Sequence, residues 1–144
     1  MEWVYSDGGR AEAGRKGSAQ DCVCRAVTII TGLAYADVYR RMGDHAKAAG
    51  VSRSVVRTGY PTKLVKTFLA SLGFAWVPTM FIGQGCKVHL VASELPPGKL
   101  IVNLSRHIAP VINGTVYDTD DPRRNGSRCV YGYWTLTNQP KAGQ

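Results

Sequence analysis

At Gly73 the hydrophobic period of this chain changes, and that change constrains the fold more than any other feature. Ahead of it, apolar residues recur at helical spacing: Val23, Ala26, Val27 and Ile30 up to Gly32; Tyr35, Val38, Tyr39 and Met42; then Leu64, Val65, Phe68, Leu69 and Leu72 after Pro61. Pro61 suits a first helical turn and Gly73 a terminator. Beyond it come short runs rich in β-branched and aromatic residues, at 74–80, 87–91, 100–105, 108–112, 115–119 and 130–136. Asn113-Gly114, between two of these runs, is a strong hairpin signal. Helices followed by strands predict an α+β domain rather than a doubly wound sheet, with N-terminal helices packed on a C-terminal antiparallel sheet.

The 144 residues suffice for one domain with its own core. Residues 1–20, rich in Gly and polar groups, are expected to form an arm or loop, 21–137 the domain and 138–144 a flexible tail. The polar, basic stretch from Gly43 to Gly59 reads as a loop. No apolar run reaches the roughly 18–20 residues a membrane helix needs, so no membrane association is expected. With no secretory signal at Met1-Glu2-Trp3-Val4, the four cysteines are expected to be reduced thiols in a cytoplasm.

Chemistry concentrates in two places. Cys22 follows Asp21, a candidate N-cap, so its thiol falls where unpaired helix N–H groups favour a thiolate. Cys24 points about 200° away around the same helix and is expected to pack. His107 and two carboxylates, Asp118 and Asp120, flank the hairpin. A two-residue Asn113-Gly114 loop sets Ile112 opposite Thr115, Ala109 opposite Asp118 and His107 opposite Asp120. His107 and both aspartates then share one face. Pro110 removes a ladder hydrogen bond toward Tyr117 in this register, so register alone does not choose between the aspartates. A thiol, an imidazole and a carboxylate are the parts of a nucleophilic triad.

Other readings of the same residues are weaker. Cys22, Cys24, Cys86 and His89 offer four zinc ligands, but a one-residue spacing on a helix splays the first pair and Cys129 has no second knuckle. Neither a metal nor a cofactor is expected. Gly9 to Gly17 lacks the Lys-Ser/Thr of a phosphate loop. The balance of 18 Lys and Arg against 10 Asp and Glu, a formal +8, favours anionic partners, nucleic acid among them, without a basic run to mark a binding tail. Trp3, Trp76 and Trp134 are too scattered to form a stacking platform.

Tyr5-Ser6-Asp7-Gly8-Gly9-Arg10, Asp21-Cys22-Val23-Cys24-Arg25-Ala26, Thr31-Gly32 with Tyr35 and Val38-Tyr39, Gly85-Cys86-Lys87-Val88-His89-Leu90 and Val130-Tyr131-Gly132-Tyr133 carry a further resemblance. Over nearly its whole length the chain resembles a family of small, functionally uncharacterised bacterial and phage-encoded proteins, itself similar to papain-like cysteine peptidases in the order of its Cys, His and Asp. The resemblance implies a papain-like fold and a thiol hydrolase acting on an amide, isopeptide or related acyl bond of a peptide or protein. It implies Cys22 as nucleophile, His107 as general base and Asp118, ahead of Asp120, as the orienting carboxylate. The usual oxyanion glutamine several residues before the cysteine is missing. Gln20 stands two before it and Lys16 six before it, which leaves as oxyanion donors either Gln20, from an altered geometry, or the Cys22 backbone N–H with another donor. The competing expectation is a non-catalytic basic binding protein on the same scaffold.

Overall fold

The computed structural model describes residues 1–17 and 19–136; the expected tail, 138–144, lies outside the described residues. In chain order these form β1 (Glu2–Tyr5), α1 (Cys22–Thr31), α2 (Tyr35–Ala48), α3 (Val55–Thr58), α4 (Thr62–Ser71), β2 (Phe74–Pro78), β3 (Lys99–Leu104), β4 (His107–Ile112), β5 (Thr115–Asp118) and β6 (Gly132–Leu136), with single 3-10 turns at Ala92–Glu94 and Arg124–Gly126. The class is α+β, as expected, with four helices and one six-stranded sheet in the order β1-β5-β4-β3-β6-β2.

The sheet is mixed rather than antiparallel, because β1 pairs parallel with β5, Trp3 beside Val116 and Tyr5 beside Asp118. The expectation of an arm over residues 1–20 therefore gives way at its start to an edge strand. Trp3 packs against the apolar face of the sheet and donates its indole N–H to the Asp118 carbonyl at 3.2 Å, which ties the strand down. Residues 6–17 fold back on the domain. Asp7 accepts backbone N–H groups from Gly9 and Ala11, and the Arg15 guanidinium lies 3.9 Å over the Tyr39 ring.

β3 shows how the sheet divides the core. Leu100, Val102 and Leu104 face one cluster with Ala109, Val111, Val116 and Val130, while Ile101 faces the other with Val27, Ile30, Met42, Phe68, Leu69 and Trp134. The helices cover the second of these faces, and connecting segments with Leu90 and Leu95 cover the first. Each fully buried Leu, Ile or Val contributes about 1.5–3 kcal/mol, so both clusters are needed to hold a chain of this size.

Gly43–Gly59 is not a plain loop. α2 continues to Ala48 because Met42 and Ala46 keep the apolar stripe running, and Val56 on α3 enters the core at 1% exposure. The run at 87–91 is reduced to one isolated bridge, His89 to Cys129. Beside it Cys86 and Cys129 form a disulfide across 43 residues, which overturns the expectation of four reduced thiols. Sequence spacing had no means of pairing two residues that meet only through tertiary structure. A disulfide of this kind belongs to oxidising surroundings, so the cysteine count no longer argues for a cytoplasm. It also takes Cys86 out of the zinc set, and no cluster of three or more potential metal ligands occurs among the described residues. No helix among them is long and apolar enough to cross a membrane.

Candidate active site

α1 begins at Cys22. Asp21 holds the N-cap position, with φ −106° and ψ 26°, but its side chain does not cap the helix. Its carboxylate, 3% exposed, instead accepts the Tyr35 hydroxyl at 2.6 Å and lies 3.2 Å from the Nε of both Arg10 and Arg25. Neither Nε–H is aligned for a hydrogen bond, so these are ion pairs across a close contact. Arg10 arrives from the strap at 6–17, which needs Gly8. A Cβ there would come within 3.1 Å of the Arg25 backbone. The first-turn N–H groups of α1 are left without a side-chain acceptor, beside a half-buried thiol.

The hairpin delivers the other two groups. Asn113 and Gly114, at φ 47° and 79°, form the two-residue turn, and Ile112 pairs with Thr115 and Val111 with Val116, the register the turn chemistry predicts. Pairing stops there, where Pro110 has no N–H to give. Beyond this point His107, the first residue of β4, meets Asp118, the last of β5, with Nε2 and Oδ2 2.5 Å apart. Asp120 is exposed and bonds to neither. The structure thus brings together Cys22, His107 and Asp118 and leaves Asp120 outside.

Asp118 is 5% exposed and its second oxygen is also occupied. Oδ1 accepts the Thr119 N–H at 2.8 Å and lies 3.5 Å from Arg25 Nη1, which itself donates to the Thr119 hydroxyl at 2.7 Å. With Nε2 on Asp118, the remaining ring nitrogen, Nδ1, is the one available to Cys22, which lines the same cleft. Burial of the thiol opposes its ionisation, but the His107 hydrogen bond and charge, the Ile108 N–H and the Arg25 charge outweigh it, and the Cys22 pKa is lowered. Burial likewise disfavours the imidazolium, yet the bonds to Asp118 and Cys22 raise the His107 pKa to about 9. Each group's charge contributes to the other's shift, so the pair favours thiolate and imidazolium together. Cys24 has the opposite environment. Buried and close to Asp21, its thiol is pushed up to about 12.

Cys22 and His107 open into a cleft of about 580 Å³. Val23, Val65, Ile108 and Trp134 form its apolar wall, and Gln20, Asn103, Arg106 and Tyr131 its polar rim. Gln20 is held by its own N–H on the Arg57 carbonyl at 2.8 Å, and its Oε1 lies over Gly59, 3.3 Å from where a Cβ would stand. Its side chain therefore shares the cleft with the sulfur. Sequence reasoning missed Arg25 and Arg10. The i, i+4 spacing of Asp21 and Arg25 was the one available signal for the first; nothing local marks the second.

Comparison with protein-family models, with curated proteins and with solved structures finds no match.

Proposed function

We propose that this protein is a thiol hydrolase of papain-like type that cleaves an amide, isopeptide or related acyl bond by a Cys22–His107–Asp118 triad. The observation that carries the reading is the contact chain from a helix-start sulfur to an imidazole to a 5% exposed carboxylate, opening into a cleft. Buried unpaired charges are costly, and a chain of thiol, imidazole and carboxylate at a cleft, the first two with perturbed pKa values, is the pattern of a reaction site.

In this mechanism the Cys22 thiolate attacks the carbonyl carbon and the oxygen takes up the negative charge. The Cys22 N–H and the Gln20 side-chain amide, both at the cleft, are the donors we assign to that oxygen. As the tetrahedral adduct collapses, the bond to the leaving nitrogen breaks and His107 passes its proton to the amine. A thioester to Cys22 remains. Neutral His107 then takes a proton from water, the hydroxyl attacks the thioester, and the sulfur leaves as thiolate beside a re-protonated ring. Asp118 holds Nε2–H throughout and keeps Nδ1 directed to the sulfur.

The test is alkylation of Cys22 by iodoacetamide across pH in wild type and His107→Ala, followed by acyl release from an activated thioester or ester. Fast alkylation at pH 6–7 that disappears without His107, with a stoichiometric acyl burst on Cys22, supports the reading. An ordinary thiol profile in the wild type sinks it, and leaves the same fold as a basic binding protein.

A further inference from the structure

The reading of Cys22 as a nucleophile leaves its substrate open, and the charges around the cleft narrow it. The cleft lining contains Arg106, Arg25 and His107, and no aspartate or glutamate. The two acids nearest the chemistry are turned inward and spent: Asp21 on Arg10, Arg25 and Tyr35, and Asp118 on His107, Thr119 and Arg25. Arg25 is accordingly neutralised from within. Arg106 is not. It is exposed on the rim, and no ion pair or side-chain hydrogen bond engages its guanidinium among the described residues.

Its position is also fixed. Leu104 pairs with His107, so Ser105 and Arg106 are the whole turn between β3 and β4. Arg106 sits at φ 55°, a conformation that Asn or Gly adopts at less cost than Arg. The Ser105 carbonyl accepts Arg128 Nη2 at 2.7 Å, which pins the turn to the body of the protein. A free guanidinium is thereby held one residue from the triad histidine on a rim without carboxylates.

We infer that Arg106 is a specificity residue, selecting acidic peptides that carry a carboxylate side chain next to the bond presented to Cys22. The inference rests on the cleft being the substrate site proposed above. A planar guanidinium with several donors suits a carboxylate, and the formal +8 of the chain assists approach of an acidic segment.

The test compares chloroacetyl-Asp-amide with its neutral isostere chloroacetyl-Asn-amide as alkylators of Cys22. Each rate is divided by the rate with a small neutral thiol, and the modified residue is identified by mass. In wild type at low salt the Asp probe is expected to react on the order of threefold to tenfold faster. The preference should fall to about one in Arg106→Gln, persist in part in Arg106→Lys, and shrink in about 1 M salt, where charges are screened beyond about 3 Å. Equal rates in wild type, or a preference unchanged in Arg106→Gln, overturn the inference. Plain chloroacetamide reports separately on the thiol. An ordinary pH profile with it defeats the hydrolase reading, while the Asp-to-Asn ratio still decides whether Arg106 reads charge, since an unactivated Cys22 is alkylated at higher pH.

Discussion

Arg25 stands one helical turn beyond Asp21 with its Nε 3.2 Å from that carboxylate, and its other end reaches Asp118 and Thr119. One guanidinium therefore joins the residue before Cys22 to the carboxylate behind His107. It explains why Asp21 does not cap α1: the carboxylate is turned toward Arg10, Arg25 and Tyr35, and the helix-start N–H groups stay open beside Cys22.

Arg25→Met removes the positive charge between two buried carboxylates, and breaking a buried pair in this way costs about 3–5 kcal/mol. Denaturant unfolding of Arg25→Met should show a loss of that order, and Arg25→Lys a smaller one, since lysine keeps the charge without the fork. Because the Arg25 charge also helps lower the Cys22 pKa, folded Arg25→Lys should keep near-normal alkylation while folded Arg25→Met reacts more slowly at neutral pH. Equal stability of wild type and Arg25→Met would show that the bridge is incidental.

How far the sequence disclosed this arrangement depends on the range over which each feature is encoded. The helices around Val27, Val38 and Phe68 and the hairpin at Asn113-Gly114 are local patterns, and they are where expected. Cys22 at a helix start and His107 on one face with Asp118 and Asp120 follow from those patterns with one added register. What was hidden is non-local. β1 has the β-prone run Trp3-Val4-Tyr5, but only its pairing with β5 makes it a strand. Cys86 and Cys129 are 43 residues apart and meet through the fold. Arg10 finds Asp21 only because the strap at Gly8 passes close over α1. The choice of Asp118 over Asp120 needed the end of the β4–β5 ladder at Pro110, which the register alone did not decide.

For the proposed hydrolase, the pH profile of acyl transfer should be bell-shaped, with limbs set by the pair. The acid limb follows the lowered Cys22 pKa, because protonating the sulfur removes the nucleophile. The alkaline limb lies near pH 9, where His107 loses the proton it gives to the leaving group. Alkylation needs only the thiolate, so its rate should rise on the acid limb and then stay flat through pH 9. His107→Ala should move the alkylation midpoint up toward an ordinary thiol value near 8.5 and cut the rate at pH 6.5 by about tenfold or more. An alkylation profile identical in the two proteins would separate His107 from the thiol.

Gln20 can be isolated by comparing two reactions at the same sulfur. Alkylation creates no oxyanion, whereas acyl transfer does. Gln20→Ala should therefore leave the iodoacetamide rate within about twofold and lower acyl transfer by about 10²–10³, the usual effect of losing an oxyanion donor. Gly59→Ala crowds Gln20 Oε1, which sits 3.3 Å from the new Cβ, and should lower acyl transfer in the same direction. Full acyl transfer in Gln20→Ala would leave the backbone N–H groups of α1 as the whole oxyanion site.

The coupled pair also has a signature in stability. An unfolded chain between pH 6.5 and about 8.5 has a neutral imidazole and a protonated thiol, one proton in all. Above the lowered Cys22 pKa and below about pH 9, the folded pair also binds one proton, moved from sulfur to ring. Equal proton counts give no slope, so the pair contributes no pH dependence in that window. Cys22→Ala removes this balance. His107 retains Asp118, so its folded pKa stays above the unfolded value of about 6.5, and its contribution is complete below pH 6.5 and lost as pH rises through the folded value. Relative to wild type, Cys22→Ala should therefore lose on the order of 1 kcal/mol between pH 6 and 9, read from urea midpoints at each pH. His107→Ala should show the reverse trend at its thiol end: if its Cys22 keeps any lowering, stability gained above the unfolded thiol value is given up as pH falls. Parallel stability curves for wild type and Cys22→Ala would mean that the imidazole is neutral in the folded protein, and that the proton rests on sulfur.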